Sequence, residues 1–392
     1  MPRNIGSIKV VNIVARLLPV EIHGRAKAQR MHGAAFARKR LVAAAFPRAG
    51  IPLRWLHQQF PALSPERMSP IDTSNPRAVV EPLPDNMTGV QPGGGVCYQL
   101  ELAWGTLRRG WLKRFRPGYV RRMAKLRQGD AVGAPHEVLD PRDLKFCRNR
   151  CTADWQPQDD PFAWRDRLPL ARWGLAEVIL MGSPLALLTI AAAMLPWPWS
   201  LLAVIPAVVL AWVFWFFRDP HRVVPSNPGL VVSPADGVIA EVANVEHDDF
   251  IGGPAVRIGI FLSIFNVHIN RSPVQARVIR LRYWPGKFLN ALNPQSTLLN
   301  ESLWIGLEEE AAPHRKMIVR QIAGLFARRI VCNLRPGEVV DRGAQFGMIK
   351  LGSRTELFVP AGDGLEVLVK VGQVVQAGST VFARYQAAGV VR

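Results

Sequence analysis

A serine, a histidine and an aspartate lie in three short motifs in the second half of this 392-residue chain. Asp236 lies in the sequence SPADG, His268 lies in FNVHINRSP, and Ser353 follows Gly352 in LGSR. These three residue types suggest the nucleophile, base and orienting group of a hydrolase. No G-x-S-x-G sequence leads into a helix, however, so the familiar hydrolase architecture has no support.

Each motif also has an ordinary structural interpretation. An Asp-Gly pair is commonly just a tight turn, and a Gly-Ser pair is commonly a bulge or a loop. A single histidine at the end of a strand is more often structural than catalytic. The residue types alone therefore leave both interpretations open.

The sequence after Phe217 predicts a mainly β domain that would position these residues. Short runs rich in Val, Ile, Leu and Phe alternate with Gly, Pro, Asp and Asn over residues 218–392, which is typical of strands joined by turns. The tail from Asp363 to Ala383 resembles the β modules of biotinyl and lipoyl carriers. It lacks a Met-Lys-Met attachment motif, so we expect no swinging lysine arm.

A hydrophobic segment precedes this domain. The sequence from Gly174 to Phe217 contains one charged residue, Glu177, and two apolar runs separated by PWPW. Each run approaches the roughly 20 residues that a spanning helix needs, and basic residues flank both ends. We expect a helical membrane hairpin over residues 171–217 with both ends cytoplasmic. The alternatives are one tilted span beside an interfacial run, or a buried helix pair in a soluble core.

The net charge of +19 is concentrated toward the N-terminus. Residues 1–170 hold 28 Lys and Arg against 14 Asp and Glu, whereas residues 171–392 hold 21 against 16. A hydrophobic content of 49% excludes a wholly disordered chain, and four cysteines exclude a disulfide-rich scaffold. We expect residues 1–95 to be a basic, Pro-rich and partly disordered extension. A nucleic-acid arm or an organelle-targeting segment is the functional alternative for residues 1–60, which are rich in Arg and poor in acidic residues.

Residues 96–170 form a basic amphipathic region. Trp104, Leu107, Trp111 and Phe115 recur at spacings of three or four, with Arg and Lys between them. Such a helix either lies on an anionic membrane surface or packs its aromatic stripe onto its own domain. Two cysteines in the sequence CRNRC lack a second Cys or His pair at suitable spacing, so we expect no metal site.

Taken together and in order, the motifs resemble those of phosphatidylserine decarboxylases. The resemblance runs from about residue 215 to about residue 383. It comprises FFRDP after the apolar segment, SPADG, FNVHINRSP, QIAG with ARRI, and GSR before a strand. The GSR form and the compact catalytic domain are similar to the shorter bacterial branch rather than to the longer branch with an LGST cleavage site.

The resemblance implies a self-processing enzyme. Ser353 would attack the carbonyl of Gly352, the chain would be cleaved between these two residues, and Ser353 would become a pyruvoyl group. His268 would act as the base and Asp236 would orient it. The products would be a β chain of residues 1–352 and an α chain of residues 353–392, associated as a heterodimer or a higher oligomer.

The implied reaction is decarboxylation of phosphatidylserine to phosphatidylethanolamine and CO2, with the pyruvoyl group as cofactor and no metal. Arg271, Arg328 and Arg329 are candidates for binding the substrate phosphate. His268 would also serve as acid and base during turnover. The longer branch has a second histidine three residues earlier, where this chain has Phe265.

The expected partner is an anionic membrane containing phosphatidylserine, at the cytoplasmic side of the cell membrane, and not a nucleic acid. Two alternatives remain at this point. One is a membrane-anchored binding protein that is never processed, and the other is a pyruvoyl decarboxylase of a soluble amino acid.

Overall fold

The computed structural model describes residues 77–127, 136–145, 159–291, 293, 295–325, 329–350, 353–362 and 364–386. The helices are α1 Val96–Phe115, α2 Pro117–Leu126, α3 Leu175–Ala193, α4 Val204–Phe216 and α5 Ser296–Leu299, with 3-10 turns at Pro141–Lys145, Ala163–Arg167, Arg172–Gly174 and Trp199–Ala203. The first 76 residues of the expected N-terminal extension lie outside the described residues, as do Cys147 and Cys151.

The expectation of a mainly β catalytic domain is confirmed. The strands are β1 Leu230–Val232, β2 Gly237–Asp248, β3 Gly253–Leu262, β4 Ile269–Arg271, β5 Ala276–Trp284, β6 Ser302–Glu309, β7 Lys316–Ala323, β8 Arg329–Cys332, β9 Val339–Val340, β10 Gln345–Lys350, β11 Ser353–Pro360, β12 Leu365–Val367, β13 Val374–Val375 and β14 Val381–Tyr385. They carry the β-branched and aromatic residues that favour pleated, half-buried surfaces.

These strands form one large and two small antiparallel sheets. The large sheet has the order β13-β2-β3-β11-β7-β6-β5-β9, and the small sheets have the orders β4-β10-β8 and β1-β14-β12. Fully buried side chains such as Ile258, Ile260, Leu262 and Leu357 form the core of the β domain. Gly237 begins β2 with φ 154°, and a Cβ there would lie 2.2 Å from the Phe261 carbonyl oxygen. Only glycine allows this close approach of two strands.

Three chain segments cross from the large sheet to the β4-β10-β8 sheet. In the large sheet β11 lies between β3 and β7, and in the small sheet β10 lies between β4 and β8. Ser353 pairs with Leu262 at the end of β3 and with Ala323 at the end of β7, and Lys350 pairs with Arg329 at the start of β8. The strand ends that these connections join therefore lie side by side. Because β10 and β11 are the middle strands of the two groups, we call the step from Lys350 to Ser353, which contains Gly352 in the sequence, the central crossing.

Two helices, α3 and α4, correspond to the two apolar runs, and they pack against each other. The helical stretches Arg172–Ala193 and Trp199–Phe216 are long and apolar enough to cross a bilayer, with mean hydropathies of 1.9 and 2.1. Only 17% of each is buried, so the alternative of a buried helix pair in a soluble core is wrong. The PWPW sequence lies at the connection between the helices, as expected, because proline interrupts a helix.

The base of this hairpin packs on the β4-β10-β8 sheet. Val213, Phe216 and Phe217 form one buried cluster with residues of that sheet, including Ile269 and Met348. The apolar helices are therefore attached directly to the part of the domain that carries the central crossing.

Residues 77–95 differ from the expected disorder. The Glu81 N–H donates to the Ile279 carbonyl (2.9 Å), the Asn86 side chain donates to the Tyr283 carbonyl (2.9 Å), and Met87 is fully buried in the core. This segment runs along β5 as an ordered strap. It has no sequence period because its order comes from contacts with a distant strand rather than from its own secondary structure.

Candidate active site

Ser353 is the first residue of β11 and is completely buried. Its backbone pairs with Leu262 of β3 and with Ala323 of β7. Its Oγ has no hydrogen-bond partner among the described residues. A buried hydroxyl without a partner costs about 1–3 kcal/mol, so this position is poorly explained by stability alone. The orphaned hydroxyl fits a residue that is consumed to make a prosthetic group. Gly352 lies outside the described residues.

His268 lies in the neighbouring crossing and is also completely buried. Its backbone carbonyl accepts a hydrogen bond from the N–H of Ile349 at 3.2 Å, three residues before Gly352. Its ring packs on Phe216, the last residue of α4, with 4.5 Å between ring centroids. The hairpin base therefore forms one wall of the histidine site.

The orientation of the His268 ring follows from its hydrogen bond. Nδ1 lies 2.9 Å from the carbonyl oxygen of Asn266. A carbonyl oxygen accepts but cannot donate, so we assign the ring proton to Nδ1. This tautomer leaves the lone pair on Nε2, the atom that must accept a proton if His268 acts as a base.

Burial, together with the smaller effect of the positive charge of Arg218, lowers the pKa of His268 to about 4 against the opposing effect of the Asn266 carbonyl. The imidazole is consequently neutral at neutral pH. A neutral imidazole is the form that can remove a proton from a serine hydroxyl.

Asp236 lies in the turn between β1 and β2, and its contacts differ from the predicted one. Arg222 Nη2 donates to its Oδ2 at 2.6 Å and the Ala377 N–H donates to its Oδ1 at 2.8 Å. The group that orients His268 in this structure is the Asn266 carbonyl. The reason is local, because a carbonyl two residues away in the same tight loop reaches the ring without any long-range contact.

Asp236 and His268 share a charged neighbour, Arg218. Burial raises the pKa of Asp236, while the Ala377 N–H, Arg222 and Arg218 oppose that rise. Arg218 also acts electrostatically on His268. The two predicted site residues therefore lie near the same arginine, although no hydrogen bond or ion pair between them is observed among the described residues.

A buried amide network beside the site was not predicted. Asn270 Nδ2 donates to Thr355 Oγ1 (3.2 Å), and Gln321 Nε2 donates to Asn270 Oδ1 (2.8 Å). All three residues are fully buried, and they connect β4, β7 and β11 close to the crossings. Asn270 lies in the motif FNVHINRSP and Gln321 begins the motif QIAG. Membership in these motifs was the sequence signal that could have identified both residues.

The three candidate arginines have different environments. Arg271 donates to Asp219 at 3.2 Å and to the Gly343 carbonyl at 3.0 Å, so its guanidinium already has partners. Arg328 lies outside the described residues. Arg329 has a buried Nη1 with no partner among the described residues, and its guanidinium packs directly on Gly95.

Glu301 lies near Arg329 and was not predicted. Burial raises the pKa of Glu301 to about 7, and the Ile330 N–H and Arg329 only partly oppose this effect. Its backbone carbonyl accepts a hydrogen bond from the N–H of Ala323, the β7 residue that pairs with Ser353.

Lys350, at the end of β10, forms a buried ion pair with Glu177 of α3. Lys350 is two residues before Gly352, and Glu177 is the only charged residue of the apolar segment. This contact joins the hairpin to the strand that leads into the central crossing. The isolated charge in an apolar run was the sequence signal for it.

No group of three or more His, Cys, Asp or Glu side chains with metal-binding geometry occurs within the described ranges. The predicted absence of a metal from the reaction stays a prediction.

Comparison with known proteins identifies relatives that match the C-terminal part of the chain, including the β domain. A sequence model of the family "Phosphatidylserine decarboxylase" matches residues 209–383. A phosphatidylserine decarboxylase proenzyme of Rhodopirellula baltica is 54% identical over 243 residues, which is 62% of this chain and 99% of the relative. Proenzymes of the same name from Symbiobacterium thermophilum (47% identical, 51% of this chain and 90% of the relative) and Carboxydothermus hydrogenoformans (42%, 56% and 98%) also match.

Proposed function

Because the chain belongs to the phosphatidylserine decarboxylase family, we propose that Ser353 is its self-cleavage nucleophile and the source of a pyruvoyl group. The chain is a decarboxylase proenzyme, and its reaction converts phosphatidylserine to phosphatidylethanolamine and CO2. What we propose is which residues form the site and what each of them does.

The observation that carries the proposal is the buried, unpartnered Oγ of Ser353 in the central crossing. The crossing next to it carries His268, whose Nε2 is the unprotonated ring nitrogen. Nucleophilic catalysis by serine needs a base of this kind within reach. Both residues lie within residues 209–383, the range that the family model matches.

Self-cleavage needs no oxidant or external group other than water. His268 takes the proton of Ser353 Oγ, Oγ bonds to the Gly352 carbonyl carbon, and the peptide C–N bond breaks while the freed amine receives a proton. Removal of the Ser353 Cα proton then breaks the Cβ–O ester bond, and the electron pair leaves on the Gly352 carboxylate. The elimination leaves dehydroalanine, an enamine, which takes a proton at Cβ and loses one from nitrogen to become an imine. Water adds to this imine and ammonia leaves, so that a ketone remains.

Asp236 is a positioning residue in this proposal. It binds Arg222 in a 2.6 Å ion pair and interacts electrostatically with Arg218. We expect its negative charge to reduce the effect of these arginines on the pKa of His268. The Asn266 carbonyl holds the ring tautomer. Arg218 donates to the Phe265 carbonyl at 3.1 Å, so the loop before His268 is also held by this arginine.

In the processed enzyme the pyruvoyl group supplies the electron sink that decarboxylation next to an amine requires. His268 Nε2 is the proposed acid and base for the proton that replaces the lost carboxylate. Arg329, with a buried nitrogen that lacks a partner within the described segments, is the favoured candidate for the substrate phosphate. Arg271 already binds Asp219, so its proposed role is to hold the site together.

The hairpin and the domain division form the remaining part of the proposal. Residues 171–217 form a membrane hairpin with both ends on the cytoplasmic side, and residues 218–392 form the decarboxylase domain. Residues 1–76 remain an extension without an assigned role. The apolar surfaces of α3 and α4 and the packing of their base beside His268 support this arrangement, since the substrate is a lipid.

The test is the processing of purified protein, followed by mass spectrometry and gel electrophoresis. We expect a small fragment that begins at position 353 with a blocked, hydrazine-reactive N-terminus. Ser353→Ala is expected to stay intact at 43.5 kDa, whereas the control Ser379→Ala, in a loop before β14, is expected to be processed normally.

Two outcomes distinguish the alternatives. An intact parent protein that binds lipid would contradict self-cleavage and favour a membrane-anchored binding protein. A processed protein that releases CO2 from free serine but not from phosphatidylserine would favour a decarboxylase of a soluble amino acid.

A further inference from the structure

Helix α1 has two faces of different character. Tyr98, Glu101, Gly105, Arg108 and Leu112 recur at helical spacing and are buried. About a quarter turn away, at 100° per residue, a second row of large apolar side chains is exposed. The sequence by itself leaves open whether this second row packs on the protein or on a membrane.

The exposed row consists of Leu100, Trp104, Leu107, Trp111 and Phe115. The exposed fractions of Trp104, Leu107 and Phe115 are 59%, 66% and 63%. The alternative in which this stripe packs onto its own domain is therefore wrong. Soluble proteins rarely expose a contiguous row of this kind unless it is an interaction site.

The orientation of α1 is fixed from its other face. Arg108 Nε donates to Asp140 at 2.5 Å and its Nη2 donates to Asp143 at 2.8 Å, and all three side chains are buried. Arg109 adds a contact to Asp143 at 3.0 Å. Turning the aromatic row inward would break these buried ion pairs, which is costly. The exposed face is therefore a built feature of the fold.

The charge around the row identifies the kind of partner. Residues 96–127, which contain α1 and α2, carry nine Lys and Arg and a single acid, Glu101, and that acid is buried. The exposed charge is positive throughout. Aromatic side chains interleaved with basic ones favour the boundary between headgroups and acyl chains of an anionic bilayer.

The position of α1 in the fold agrees with such a partner. It packs against α3, whose exposed side chains include Leu187 and Ile190. Helix α1 lies before residue 209, where the family match begins, so this face is an addition to the matched domain.

We propose that α1 lies in the plane of the membrane beside the hairpin, with Trp104, Leu107, Trp111 and Phe115 in anionic lipid. The other conceivable occupants are residues 1–76 of the same chain and a second copy of α1. Both are strongly basic, with 12 Lys and Arg against three acids in residues 1–76. Like charges disfavour either of them on this surface.

The test uses the full chain in lipid nanodiscs with a photo-crosslinking amino acid at one position. Leu107 is replaced by benzoylphenylalanine in one sample, and Thr106, which is exposed on the opposite side of α1, is replaced in the matched control. The bilayers contain phosphatidylcholine with or without phosphatidylglycerol, which is anionic and is not the substrate. Adducts are identified by mass spectrometry.

We expect several-fold more lipid adduct from position 107 than from position 106, and more of it when phosphatidylglycerol is present. Equal lipid labelling at both positions would overturn the proposal. Adducts to residues 1–76 or to a second copy would also overturn it and would identify the other occupant. Self-cleavage of both samples reports correct folding, and the adduct readout is independent of decarboxylation.

Discussion

At the scale of single residues, the site depends on a histidine that is kept neutral. Burial, with a smaller effect of the charge of Arg218, lowers the pKa of His268 to about 4 against the opposing effect of the Asn266 carbonyl. A surface histidine would be partly protonated near neutrality, because its ordinary pKa is about 6.5. Burial thus supplies the base form and at the same time removes water from Ser353.

Replacing His268 by Gln is expected to reduce the rate of self-cleavage by roughly 10²–10⁴-fold, because a positioned general base contributes about that much. The measurement is the fraction of processed chain over time after synthesis in a cell-free system. His247→Gln is the control, since that histidine has a 63% exposed side chain, and it should be processed like the parent. Normal processing of His268→Gln would assign the base to another residue.

The pH dependence of self-cleavage follows from the same pKa. His268 binds its proton only as the pH falls through about 4, so the processing rate should not show a titration near pH 6.5. The free energy of unfolding depends on the same group. The unfolded chain binds a proton on His268 from about pH 6.5 downward, whereas the native chain binds it only near pH 4. The native state therefore loses stability as the pH falls from about 6.5 to about 4.

The measurement is the initial processing rate of freshly synthesised proenzyme in buffers across this range. A rate that falls by half near pH 6.5 would contradict the assignment of His268 as a buried, neutral base. His247→Gln, at an exposed position, serves again as the control.

At the scale of elements, a buried ion pair connects the hairpin to β10, the strand that ends two residues before Gly352. Glu177 of α3 and Lys350 of β10 are both buried. The apolar helix is therefore attached to the end of β10. No local pattern in either segment predicts which charge it will meet.

Glu177→Gln is expected to destabilise the chain by about 3–5 kcal/mol, because it leaves Lys350 buried without its countercharge. We expect incomplete processing together with a lower thermal midpoint in detergent micelles. The control is Glu366→Gln, which breaks an exposed pair with Arg384 and should cost at most about 1 kcal/mol.

The double variant Glu177→Gln/Lys350→Met separates charge from packing. It removes both charges of the buried pair and should recover most of the lost stability. Equal stability and processing of Glu177→Gln and Glu366→Gln would show that the buried pair does not position the crossing.

At the scale of the whole molecule, the cleavage site lies inside the sheet rather than at its edge. The α chain would begin with β11, which pairs with β3 along Ser353–Pro360 and with β7 along Ser353–Phe358. It would also supply β14, which pairs with β1 and β12. Cleavage therefore leaves β11 of one product hydrogen-bonded between two strands of the other, and β14 paired with a third strand of the other product, β1.

We expect the two chains to stay associated after cleavage and to separate only when the domain unfolds. Size-exclusion chromatography of processed protein in detergent should elute both chains together, and denaturant should release the α chain in the same transition that unfolds the sheet. Release of the α chain under native conditions would contradict the central position of β11. Intact Ser353→Ala provides the reference elution volume.

Residue types and local patterns by themselves determined the family, the mainly β domain and the apolar helix pair. They also identified the motifs that hold Ser353, His268 and Asp236. These are properties of short stretches, in which periodicity and turn residues act through neighbouring positions along the chain.

Only the tertiary structure decided which of these residues meet. It placed Asp236 on Arg222 and Glu177 on Lys350, and it ordered the strap of residues 77–95 along β5. It also turned the aromatic row of α1 outward. Contacts of this kind join segments that are distant in the chain, and they depend on how whole elements pack, which no local pattern encodes.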